Sequence, residues 1–150
     1  MNAIARLLPG LLAAALTLGA ASAWSGPVAD LIVQAQQAGS QRSEGDISVL
    51  GLELGLRRLA PPDVSPFVRE AVVNEALGIL NARQESDPVL AGLLRGLAVI
   101  RESGNPNIAA TMCFYAGGSS SARLRAEALE SLRIRCLEGQ GDTAACACPR

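Results

Sequence analysis

Apolar residues recur along this chain at helical spacing from position 28 onward. Val28, Leu31, Ile32 and Ala35 fall at i, i+3, i+4 and i+7, one stripe of a helix. Pro27 suits the first helical position, where its missing N–H costs nothing, and Gly39 is a fitting stop. The polar run from Ser40 to Gly45 reads as a loop. The segment Asp46 to Ala60 is ambiguous. Val49 to Leu56 nearly alternates, as a strand would, yet Ile47, Leu50 and Leu54 also fit a helix capped by Asp46. Helical neighbours on both sides favour helix, and Pro61-Pro62 ends it.

The next two segments share one plan. Ser65 is the expected N-cap and Pro66 the first residue of a helix with Val68, Val72, Val73, Ala76, Leu77, Ile79 and Leu80 on one arc. Glu70, Asn74, Glu75 and Asn81 take the opposite side, and Arg69 sits at the apolar edge, where its stem could snorkel. Asp87 then caps a helix led by Pro88, with Val89, Leu90, Leu93, Leu94, Leu97 and Ile100 inward and Gly104 as its stop. A fifth helix runs from Asn105-Pro106 to Gly117-Gly118. A sixth begins within Ser119 to Ser121, presents Leu124, Ala128, Leu129, Leu132, Cys136 and Leu137, and ends at Gly139. Gln140 to Arg150 reads as irregular. The pairs Gly51/Gly55 and Gly92/Gly96 form flat strips where another helix can approach closely. The pattern predicts an all-α domain of about six helices, as a compact bundle or a short stack, with a disulfide-tied C-terminal tail.

The segment Pro66-Phe67-Val68-Arg69-Glu70-Ala71 through Glu75-Ala76-Leu77-Gly78-Ile79-Leu80 resembles one helix of a HEAT repeat, with its proline, Val-Arg pair and Ala-Leu-Gly-x-Leu run. Ala122 to Leu129 is similar, and Pro66 and Pro106 stand near one repeat length apart. The match covers about fifteen residues, 66–80, and two or three repeats would fit the chain. The resemblance implies a protein-binding surface and no chemistry.

Residues 1–23 follow a different plan. A short segment with Arg6, an apolar run from Leu7 to Ala20 and the small-residue box Ala21-Ser22-Ala23 form the pattern of a secretory signal peptide cut before Trp24. The run is too short for a membrane anchor. The expected product is one exported helical domain, 24–150, periplasmic or secreted and not inserted in a membrane. Removing Arg6 shifts the net charge from −1 to −2, which offers no basic footprint for nucleic acid.

An exported chain with four cysteines is expected to pair them, so Cys113, Cys136, Cys146 and Cys148 are read as structural disulfides. In a straight antiparallel hairpin of the last two helices, Cys113 lies opposite Arg125, ~16 Å from Cys136 at ~1.5 Å per residue. A bridge needs Cα atoms within about 7 Å. Cys146 with Cys148 would close a strained ring. The favoured pairing is Cys113–Cys148 with Cys136–Cys146, and the swapped form stays open. Cys146-Ala147-Cys148 also admits a redox pair or a copper(I) site with Met112 and Cys113.

The chain has no His and no Lys, so histidine-based and lysine-based catalysis are excluded. No phosphate-binding glycine motif is present. The remaining acid–base candidates are Glu44, Asp46, Glu53, Glu70, Glu75, Glu127 and Glu130. Glu130 with Arg133 and Glu127 with Arg123 fit surface ion pairs on one helix. Few aromatic residues are available to line a sugar cleft. The balance is against an enzyme, no catalytic residue or cofactor is assigned, and the partner expected is another protein. An inhibitor or immunity protein and an envelope-assembly accessory are two concrete forms. The alternatives are a glutamate-dependent cell-wall hydrolase and a C-x-C redox or copper(I)-binding protein. If the cysteines are structural, a reducing agent lowers the melting temperature markedly in a thermal scan; an unchanged scan contradicts that reading.

Overall fold

A computed structural model describes residues 24–40, 45–118, 120–137 and 148. Six α-helices follow in order: α1 (Pro27–Ser40), α2 (Gly45–Leu59), α3 (Pro66–Ala82), α4 (Asp87–Val99), α5 (Pro106–Ala116) and α6 (Ala122–Leu137). No strand occurs among the described residues. The ambiguous segment is therefore helical. Its helix begins at Gly45, so Asp46 lies inside it instead of capping it.

The helices pair as antiparallel hairpins in two layers. Leu52 and Leu56 of α2 meet Gly92 and Gly96 of α4, so these two run in the same direction. Arg95 of α4 meets Glu127 of α6, and Arg135 meets the end of α4, so α6 runs with them. On the other side, Asn105 beside Glu70 and Asn74, and Tyr115 beside Leu80, set α5 parallel to α3. One core joins both layers, and α4 lies at its centre with Val89, Leu90, Leu93, Leu94 and Leu97 all buried.

Glycine makes the closest approach possible. A Cβ on Gly92 would stand 2.8 Å from Leu52 Cβ, and one on Gly96 would stand 2.9 Å from Leu56 Cβ. Carbon atoms make their best contacts at about 3.5–4.0 Å, so neither position admits a side chain. Gly55 is likewise covered by Leu31 of α1.

Polar side chains then fasten the helix ends. Glu75 accepts hydrogen bonds from the backbone N–H of Val28 (3.1 Å) and Ala29 (3.0 Å), capping α1 from a neighbouring helix. A carboxylate at that end also complements the helix dipole. Gly26 (φ +154°) lies against the same carboxylate, where any Cβ would collide with it. Trp24 packs over Gly78. Arg135 donates to the carbonyls of Leu97 (3.3 Å), Ile100 (3.1 Å) and Ser103 (2.5 Å). These carbonyls are freed because α4 stops at Val99, well before Gly104. Burial holds the Arg135 guanidinium below its ordinary pKa, and Glu70 opposes the shift.

Other local expectations are corrected by the same contacts. Ser65 caps α3 as expected, accepting from Val68 N at 3.3 Å. Ser86 is the N-cap of α4, and Asp87 falls in its first turn. Arg69 does not snorkel. It is buried and donates to the carbonyls of Pro62 (2.9 Å) and Val64 (3.0 Å), holding the α2–α3 turn. It takes the inward position, so Val68 is left 42% exposed. Leu129 is 57% exposed, because α6 turns Leu124, Ala128 and Leu132 to the core instead. Asn105 caps α5, accepting from Asn107 N at 3.0 Å, and Ser121 accepts from Leu124 N at 3.2 Å. The stop expected at Gly139 lies outside the described residues.

The tail is tied back as the favoured pairing requires. Cys113 and Cys148 form a disulfide, with Cα atoms 5.2 Å apart and a sequence separation of 35. Loop closure of that length contributes about 4 kcal/mol in the chain-entropy model. Cys136 is also disulfide-bonded, whereas Cys146 lies outside the described residues. Replacing Glu75 by alanine leaves two N–H groups of α1 without their carboxylate. Urea denaturation of Glu75→Ala is expected to show a loss of about 1–2 kcal/mol at neutral pH. An unchanged midpoint contradicts the capping role.

Candidate functional site

The carboxylates do not converge on one cleft. Glu75 is engaged by the start of α1. Glu70 accepts from Ser103 Oγ at 2.6 Å and from Asn105 Nδ2 at 3.3 Å, fastening the α4–α5 turn to α3. Glu127 forms an ion pair with Arg95 on the neighbouring helix α4, a partner that spacing along α6 did not suggest. Glu130 pairs with Arg133 through two contacts of 2.5 and 2.7 Å. That hydrogen bonding lowers the pKa of Glu130 and raises that of Arg133. Glu53 is half-buried on α2. Glu44 and the Asp46 side chain lie outside the described residues. A general acid needs a substrate proton within hydrogen-bond reach; Glu70, Glu75, Glu127 and Glu130 instead face groups of the fold.

The cysteines are bonded in the same way. Cys113, Cys136 and Cys148 are disulfide-bonded and offer no thiolate to copper(I) in this state. Among the described residues, no group of three or more His, Cys, Asp or Glu could hold a metal ion. No described helix is long and apolar enough to cross a membrane.

Open surface is found instead between helices. A groove of about 420 Å³ runs between α1 and α2. Leu31, Ala35 and Ala38 form one wall, and Leu54, Leu59 and Gly51 form the other. Leu54 is 45% exposed and Leu50, one turn earlier, is 53% exposed. Gln34 and Arg58 are its polar lining side chains. The volume and the apolar lining with few polar groups match those of binding grooves in general. The sequence marked Gly51 and Gly55 together as a packing strip. The structure separates them: Gly55 is covered by Leu31, whereas Gly51 is exposed beside Ala35.

A second groove, of about 490 Å³, lies between α3 and α5. Asn74, Asn81, Asn107 and Thr111 line it with Leu77 and Phe114. Phe114 is 43% exposed, and the Arg83 guanidinium stacks 3.9 Å from its ring centroid. Arg83 itself occupies the left-handed region (φ 54°), which closes α3 at a position usually given to glycine. Tyr115 meets the same ring edge-on and donates to the Leu80 carbonyl at 2.6 Å.

No family model matches the sequence, and no curated protein or solved structure matches it at a significant level.

Burial pushes the Tyr115 phenol up from its ordinary value near 10; Arg83 opposes the shift and Asp87 adds to it. The neutral phenol is therefore favoured in the fold. Its contribution to stability is full below about pH 10 and is lost as pH rises through the higher folded value. The chain holds one tyrosine and no lysine, so a phenolate absorbance titration reports this group alone. Stability is expected to fall above about pH 10, with a shallower alkaline fall in Tyr115→Phe. Identical alkaline profiles contradict the assignment.

Proposed function

We propose that this chain is an exported, non-enzymatic helical domain that binds another protein. The observation that carries the reading is the open apolar groove between α1 and α2, with the exposed Leu54 on its α2 wall and the exposed Leu50 one turn earlier on the same helix. Apolar surface left open beside a filled core is a mark of an interaction site. Four of the acid–base candidates being engaged by the fold supports the same reading. So does the absence of histidine and lysine from the whole sequence. Side-by-side helical hairpins accord with the HEAT-like expectation, whose repeats present protein-binding surfaces. The leader-like pattern of residues 1–23 and the disulfide support work in an oxidising compartment, periplasmic or extracellular. An inhibitor or immunity protein and an envelope-assembly factor both fit this class.

Affinity capture of the tagged mature chain from its native envelope fraction tests the proposal. One partner protein at stoichiometric amount is expected. A partner-free monomer contradicts it. Release of muropeptides from cell-wall material, abolished by one Glu→Gln change, would establish the hydrolase instead.

A further inference from the structure

The contact between α2 and α4 supplies a template for what the open groove accepts. Leu52 and Leu56, one turn apart, enter the positions left bare by Gly92 and Gly96. Helix α2 carries the same spacing in Gly51 and Gly55. Gly55 already receives Leu31. Gly51 receives no side chain from the described residues: a Cβ placed on it would meet only Ala35 Cβ, at 4.0 Å, an ordinary contact, and the residue is exposed. Glycine is a poor helix former, and packing among the described residues gives no reason for its presence there.

The chemistry of the walls selects the occupant. The floor is apolar, and Arg58 is its only charged lining residue. An extended peptide would lay unpaired N–H and C=O groups over that floor. A helix bonds its own backbone and presents one apolar side chain per turn, as α2 does to α4. The guanidinium at the rim favours a carboxylate on the incoming surface. We propose that the α1–α2 groove seats one amphipathic helix of a partner protein, with a leucine over Gly51 and an acidic side chain against Arg58. This rests on the reading of the chain as a protein-binding domain.

Site-specific photo-cross-linking in the full exported chain tests it. Benzoylphenylalanine is placed at Leu54 in one variant and at Phe114 in another. From position 54 we expect an adduct with a different protein, mapping to a helical segment with leucines three or four residues apart and an Asp or Glu beside them. Gly51→Leu fills the vacant position; it is expected to reduce that adduct at least tenfold while melting no lower than the parent. Arg58→Glu is expected to reduce it severalfold. An adduct that survives Gly51→Leu overturns the proposal. So does one with lipid, with a second copy of this chain, or with an extended or basic segment. Adducts from position 114 alone overturn this groove and leave the protein-binding reading standing. Adducts from neither position overturn both.

Discussion

Helices α2 and α4 approach so closely that the leucines of one occupy the space where the other would carry side chains, and much of the rest of the structure follows from that contact. Gly92 and Gly96 allow it. With α2 on one side and α6 on the other, α4 is enclosed along most of its length. An enclosed helix cannot give its terminal carbonyls to water, and each buried group left unpaired would cost about 1–3 kcal/mol. Arg135 meets that need from α6. Arg69 does the same for the turn before α3, and Glu75 for the first turn of α1. The close contact and the polar clamps are thus one arrangement: glycine brings the helices together, and charged side chains from their neighbours finish their ends.

That arrangement bears on function. Glu70, Glu75 and Glu127, which the sequence leaves free for acid–base work, are held by backbone N–H groups, by Ser103 and Asn105, and by Arg95. The disulfide through Cys113 and Cys148 holds the tail in a comparable way. What the fold leaves open is surface: the leucine-edged groove of α1 and α2, and the amide-lined groove of α3 and α5 with Phe114 at its rim. Under the proposed binding role, specificity would lie in the shape and charge of those two grooves.

Much of this was legible in the residues. The six helices, the cap at Ser65 and a helix start at Asn105-Pro106 follow from local rules of periodicity and capping, whereas the reach of a disulfide sets aside Cys113–Cys136 but leaves Cys113–Cys148 and its swapped form both open. What escaped is what depends on a second helix. Arg69 reads as an edge residue, because nothing local shows that three loop carbonyls wait for it. Glu75 reads as solvated, because the N–H groups it caps are 46 and 47 residues away in sequence. Gly104 reads as the end of α4, because the arginine that donates to the carbonyls of its earlier end lies on α6. Leu129 reads as core, because a wheel cannot tell which apolar side chains a neighbour will cover. The groove was half visible: the spacing of Gly51 and Gly55 is plain, but that only one of them is filled depends on where α1 places Leu31.

Amide hydrogen exchange of the protein, alone and saturated with a partner captured as proposed, tests the central claim most directly. Exchange slows where a docked surface suppresses local opening. The account predicts added protection in residues 31–38 of α1 and 50–59 of α2, with α3 and α5 unchanged. Protection confined to α3 and α5 would contradict it.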